Sequence, residues 1–248
     1  MTIIPNVNKY VIFHKRHFLL VYYVKYIYFC EKQLDRMTDD ILKSVSQGSG
    51  REEDSENRRI KEIADELRRR CQLHEKERGI GQTNVCDTAT EQRIVEQFAV
   101  EKSLWIPISD VFLLGTPGPS GNENDTYVHN DIIYKVNNLL NVRGSVIRLM
   151  EKIEWHNQLF AETAYTFHAF TGFPGSTVMP IFKQSLIKEA SPATPIEIAT
   201  YMAALGFTKQ EEGRYANHTY EVWDLLPRNV LKDTDGDIYV IDAEIKML

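Results

Sequence analysis

Near the C-terminus, an aspartate, an asparagine and a second aspartate fall at intervals that could serve one reaction. Asp224 stands five positions before Asn229, and Asp242 thirteen after it. Between the last two lie Val230-Leu231, the polar turn Asp233-Thr234-Asp235-Gly236 and the strand-like run Ile238-Tyr239-Val240-Ile241. Two apolar runs around an Asp-Gly turn predict a hairpin, which would bring Asn229 and Asp242 to the same end of paired strands. A carboxamide oxygen beside a carboxylate suits Mg²⁺, a hard cation that takes oxygen ligands and shares them with phosphates. Asp224, one turn earlier, could then orient an acceptor hydroxyl or take its proton. The acids of the turn, with Glu244 at the twelfth place, mimic a calcium-binding loop. Its glycine stands fourth rather than sixth and strands flank it, so Asp-Gly turn chemistry accounts for them.

These groups need a cation and a scaffold. Residues 126–128 and 132–136 predict a hairpin turning at Asn130-Asp131, with Lys135 inside the second run. A lysine on an apolar strand is costly unless its ammonium meets an anion; the competing reading is an edge strand whose lysine stem reaches solvent. Residues 111–114 read as a preceding strand, and residues 115–125 as a loop. In that loop Gly115, Gly118 and Gly121, with Glu123 beyond them, would let backbone N–H groups approach phosphates. It is not a P-loop, because Asn122 stands where that motif needs Lys. Residues 145–160 predict a helix with the stripe Val146, Leu149, Met150, Ile153, Asn157 and Phe160, and periodicity puts Glu154 nearer that stripe than Glu151. Residues 165–170 and 178–184 read as strands. Thr194-Pro195 opens a helix that Gly206 ends, and residues 215–222 form a short strand or hairpin leading to Asp224.

The pattern D-L-x-x-x-N-V-L, a turn and four apolar residues before Asp242 resembles the catalytic and metal-binding segments of the protein-kinase superfamily. With residues 165–170, 178–184 and Tyr201-Met202 to Gly206-Phe207, the chain resembles one branch of it. That branch is the small kinase-like domain found in polyvalent proteins of phages and conjugative elements. The likeness covers residues 100–248 and implies an α+β, protein-kinase-like fold: a five-stranded antiparallel N-lobe and a minimal, truncated C-lobe, preceded by two helices. It implies ATP and Mg²⁺ as cofactors. Lys135 would hold the α/β phosphates under the loop of Gly115, Gly118, Gly121 and Glu123, and Asn229 and Asp242 would hold the metal. Asp224 would orient the acceptor hydroxyl, and Gln184 would stand near the inter-lobe hinge where adenine finds backbone hydrogen bonds. A helix glutamate would pair with Lys135; the family spacing suits Glu151, periodicity suits Glu154, and both stand. His156 and Asn157 also match, and such residues more often tie a helix to its neighbouring loop than touch substrate.

The implied acceptor is a protein Ser, Thr or Tyr. The alternatives are a small-molecule kinase of aminoglycoside-phosphotransferase type and a nucleotide-binding module without turnover. The chain departs from larger kinases in three places. Trp223 stands where many have an Arg that reads phosphorylation, Ala243-Glu244 replace Phe-Gly, and the sequence ends six residues after Asp242.

Composition bounds these readings. The 248 residues carry a net charge of −6 with 43% hydrophobic and 26% charged residues, which suits a folded domain with a core and leaves no basic surplus for nucleic acid. Three cysteines, Cys30, Cys71 and Cys86, form no C-x-x-C and fit reduced thiols in a cytoplasmic protein. Residues 1–36 are aromatic and basic, six Lys/Arg against two Asp/Glu. Neither apolar run there reaches the ~20 residues of a membrane helix; a surface anchor, a strand pair and an upstream extension before Met37 compete, and the abrupt change at Met37 favours the extension. Residues 37–103 read as a linker (44–58) and two helices, the first with the stripe Ile60, Ile63, Ala64, Leu67 and Cys71 and ending at Gly79-Ile80-Gly81. The second is opened by a Thr88-x-x-Glu91 capping box. Residues 104–248 would form the kinase-like domain.

Overall fold

The computed structural model describes residues 50–77 and 86–248; the readings for residues 1–49 and for Gly79-Ile80-Gly81 lie outside them. The chain begins its described course with helix α1, Gly50–Glu77. Residues 50–58, read from composition as linker, are therefore helical. The packing of Ile60, Ala64 and Leu67 carries the helix (0%, 1% and 0% exposed). Helix α2 spans Thr88–Glu101. Its N-cap is Asp87, whose carboxylate accepts from Thr90 N at 3.0 Å. The expected Thr88–Glu91 box does not form, because Glu91 turns inward to accept from Ser145 Oγ at 3.0 Å and Ile147 N at 3.1 Å.

A five-stranded antiparallel sheet follows, in the order β1-β2-β3-β5-β4. Its strands are β1 Thr116–Pro117, β2 Asn124–His129, β3 Ile132–Asn137, β4 Thr166–Phe173 and β5 Thr177–Ser185. The strand expected at residues 111–114 is instead a 3₁₀ helix, Ile108–Leu114. Only Val111 of that apolar run is buried; Phe112 and Leu113 are 64% and 72% exposed, and the place beside β2 is taken by Thr116 against Val128. The β2–β3 hairpin turns at Asn130-Asp131 as the sequence indicates, with Asn130 in the left-handed region at φ 54°. Helix α3, Val146–Leu159, is capped by Ser145, whose hydroxyl accepts from Arg148 N. The three helices and β4–β5 share one apolar core, with Leu67, Val95, Met150, Phe167 and Phe170 at its centre.

A second core gathers helix α4, Pro195–Ala204, with Tyr215, Val222, Leu225, Val230 and Val240. The capping box that opens α4 is complete: Thr194 accepts from Glu197 N, and Glu197 accepts from Thr194 N at 2.8 Å. Around it lie a four-stranded sheet, β12-β9-β8-β7, and a three-stranded one, β11-β10-β6. The first holds β7 Thr208–Glu211, β8 Arg214–Ala216, β9 Tyr220–Trp223 and β12 Glu244–Met247. The second holds β6 Ser191–Pro192, β10 Val230–Lys232 and β11 Ile238–Val240. The molecule is thus a mixed helix-and-strand protein built on a multi-stranded antiparallel sheet. Among the described residues, no helix is long and apolar enough to cross a membrane.

Candidate active site

The β10–β11 hairpin sets the first two groups. Val230 pairs with Val240, and Ile241 N donates to Asn229 O at 2.9 Å, so Asn229 and Asp242 sit at the same open end. The opposite end is closed by Asp233, whose Oδ1 accepts from the backbone N–H of Asp235, Gly236 and Asp237 at 2.9–3.0 Å. This is the turn chemistry read from the sequence.

Asp224 follows β9 in the left-handed region at φ 61°, a conformation that costs a non-glycine residue energy and needs support. Asn229 supplies it: Nδ2 donates to both the Asp224 carbonyl and its Oδ2, each at 2.8 Å. That pairing assigns the amide nitrogen to Asp224 and leaves the carboxamide oxygen as the group able to meet a cation. The other Asp224 oxygen accepts from Arg228. Asp224 lines an open depression of about 350 Å³ with Asn141, Glu211, Glu212, Arg214, Trp223 and Glu244.

Lys135 stands on β3, the middle strand of its sheet, between Thr126 and Phe182. It is 8% exposed, so the solvent-reaching edge lysine is ruled out. Its Nζ donates to Tyr165 Oη at 3.0 Å and to the Ile241 carbonyl at 2.9 Å. Tyr165 Oη donates in turn to the same carbonyl at 2.8 Å. Burial pulls the Lys135 pKa down, and the charge of Asp242 opposes that shift. Lys135 and Asp242 line one small cavity with Lys152, His156, Tyr165 and Asn124. Its volume is about 20 Å³, the room of roughly one water.

Neither helix glutamate meets Lys135. Glu151 is turned to α1, where it accepts from Arg68 at 2.6 Å, and Glu154 is half-buried on the same helix. The helix residue that enters the cavity is Lys152, also 8% exposed. Its Nζ lies 2.5 Å from Glu244 Oε1, 3.6 Å from Glu123 Oε2 and 4.0 Å from Asp242 Oδ1. Asn141 Nδ2 donates to both Glu123 and, at 3.1 Å, Glu244, closing a ring of four side chains. Burial alone would lower the Lys152 pKa, but Asp242, Glu244 and Glu123 together raise it. Burial raises the Glu123 carboxyl, Lys152 opposes, and Asp242 and Glu244 add to the rise.

The remaining candidates fall around this centre. Gly115 and Gly118 lie against β2: a Cβ at Gly115 would sit 2.3 Å from the Val128 carbonyl oxygen, and one at Gly118 2.7 Å from Thr126 Oγ1. Gly121 faces open space. The small residues of the loop therefore serve its fit to β2 at two of three positions. Gln184, expected near a hinge, points inward, and its Nε2 donates to the Thr163 carbonyl at 2.6 Å. His156 Nε2 donates to that same carbonyl at 3.2 Å, and burial drives its pKa down to about 3. Asn157 exchanges two 2.8 Å hydrogen bonds with the backbone of Tyr165. Both residues thus tie α3 to the chain before β4.

Sequence reasoning missed Lys152, Asn141 and the Tyr165 hydroxyl. Lys152 lies three residues after Leu149 and four before His156, on the buried face; that spacing was the available sign, overshadowed by the acids at 151 and 154. Tyr165 reads as one more strand aromatic, and nothing in its neighbours marks the hydroxyl.

No curated protein and no solved structure matches the chain. A family model described as a serine/threonine/tyrosine kinase found in polyvalent proteins matches residues 88–248, and it points to a phosphotransferase of kinase type. That match spans more than half of the chain, which belongs to the kinase family of polyvalent proteins.

Proposed function

We propose that this protein is an ATP- and Mg²⁺-dependent phosphotransferase acting on a hydroxyl of a protein Ser, Thr or Tyr. One observation carries the reading: Lys135 donates to the carbonyl of Ile241, immediately before Asp242, and the hairpin holds Asn229 next to that point. The donor set fits a magnesium-bound triphosphate. Asn229 keeps a carboxamide oxygen and Asp242 a carboxylate for the metal, and Lys135 offers a desolvated ammonium for the phosphates. The nucleotide supplies the transferable phosphoryl group and the metal neutralises its charge. In the kinase-lobe reading, the five-stranded sheet with α3 forms the N-lobe, and the β10–β11 hairpin belongs to a small C-lobe. The cavity of about 20 Å³ implies that the Lys152–Glu244–Glu123 contacts part as the ligand enters.

The side chains divide the work as follows. Lys135 holds negative charge where water is excluded, which strengthens the attraction. Asp224, beside its own open depression, orients the acceptor hydroxyl and receives its proton. Asn229 fixes the Asp224 carboxylate through Nδ2, so the proton acceptor and the metal oxygen ride on one residue pair. A second acceptor class is favoured by one feature. Glu211, Glu212 and Glu244 line the same depression as Asp224, against Arg214; that balance suits a hydroxyl carried by a cationic small molecule of the aminoglycoside kind.

The experiment is a thermal-shift titration with ATP, with and without Mg²⁺, joined to transfer of labelled phosphate to the protein itself, to basic protein substrates and to aminoglycosides. Asp242→Ala is expected to lose the Mg²⁺-dependent shift, and Asp224→Asn to keep the shift while turnover falls by about 10²-fold or more. A shift without transfer to any acceptor identifies a nucleotide-binding module. Full turnover by Asp224→Asn sinks the assigned role.

A further inference from the structure

The geometry points to Tyr165 as the positioning residue for Lys135, in the place where a helix carboxylate was expected. This rests on the phosphotransferase reading above. Lys135 lies in an apolar sheet, and an ammonium there needs acceptors. It has two: Tyr165 Oη at 3.0 Å and the Ile241 carbonyl at 2.9 Å. The tyrosine hydroxyl also donates to that carbonyl at 2.8 Å, so lysine, phenol and carbonyl form a closed triangle whose third corner is the residue preceding Asp242. Of the two candidate helix acids, Glu151 pairs with Arg68 of α1, and neither it nor Glu154 meets Lys135.

The tyrosine is itself held firmly. Asn157 bonds its backbone N–H and its carbonyl, both at 2.8 Å, and its ring meets His156 and Phe182 edge-on at 4.8 and 6.3 Å. Burial keeps the phenol neutral well beyond ordinary pH. A neutral hydroxyl differs from a carboxylate in one chemical respect: it aims the ammonium without cancelling its charge. No hydrogen-bonded carboxylate then competes with an incoming phosphate for Lys135. The charged groups facing this lysine are Asp242, Lys152 and Glu123, and none of them accepts a hydrogen bond from it.

The test is Tyr165→Phe, which keeps both ring contacts and deletes only the hydroxyl. Its first readout needs no turnover: the titration of Lys135, followed by NMR of lysine carrying ¹³C at Cε and assigned with Lys135→Met. Loss of an acceptor for the charged form moves the midpoint to lower pH, by about one unit; an unmoved midpoint overturns the proposal. The second readout is phosphoryl transfer. Tyr165→Phe is expected to lower kcat/KM by about tenfold, more than Glu151→Gln does, and to have no added effect in a Lys135→Met background. A larger loss in Glu151→Gln than in Tyr165→Phe returns the role to the helix acid and overturns the proposal. If the midpoint moves but wild-type protein transfers no phosphate, the positioning role stands and the phosphotransferase reading falls.

Discussion

In the proposed reaction Asn229 would join two jobs in one side chain, bracing Asp224 and offering an oxygen to the metal. Both Asp224 bonds come from its amide nitrogen, so Asn229→Asp would set two carboxylates against each other across a left-handed residue. The variant is expected to lose about 1–3 kcal/mol of stability, read from urea midpoints. His156 behaves differently with pH. Its folded pKa of about 3 lies below the ordinary value of 6.5, so the unfolded chain binds the extra proton between those values. Stability from this group is complete above pH 6.5 and is lost progressively as pH falls towards 3. Urea midpoints at pH 7.5 and 5.0 will differ more in wild type than in His156→Gln. At this scale the sequence was partly legible. That Asn229 and Asp242 lie together was readable because a hairpin fixes which residues share an end. The lysine's partner was not, because a hydroxyl aimed from the segment before β4 leaves no spacing to read.

At the level of elements, local patterns were readable where burial agreed with them. The α3 stripe, the Asn130-Asp131 turn and the helix opened by Thr194-Pro195 all formed because each side chain's local preference also suits its tertiary neighbours. The misses have the opposite cause. Residues 111–114 look like a strand, but with Phe112 and Leu113 outside the core nothing selects an extended backbone. Glu91 looks like a capping residue, but Ser145 and Ile147 offer it buried donors that outbid the helix end. Asp87→Ala should therefore cost about 1 kcal/mol and Thr88→Ala much less, by thermal or urea unfolding. Helix α1 packs into the same core as β4 and β5, with Leu67 fully buried. Leu67→Ala is expected to cost about 3 kcal/mol, and it will lower the stability of the whole described unit rather than release one helix.

For the whole described unit, the bonds that matter run from β3, α3 and the segment before β4 to the stretch from β11 to β12. Lys135 and Tyr165 reach Ile241, Thr163 Oγ1 reaches the Val240 carbonyl at 2.6 Å, and Lys152 reaches Glu244. These ties make the two cores unfold together, so the fluorescence of Trp105, Trp155 and Trp223 and the far-ultraviolet circular dichroism will trace one coincident transition. The ring of Lys152, Glu244, Glu123 and Asn141 carries a kinetic corollary. If the protein binds a nucleotide as proposed, a chamber with room for a single solvent molecule would not be filled at the frequency of collision, because the ring would have to part first. In stopped-flow mixing, the observed rate of nucleotide uptake will climb and then level off, at a ceiling set by how often the ring parts. Lys152→Ala, by removing the hub of that ring, will lift the ceiling.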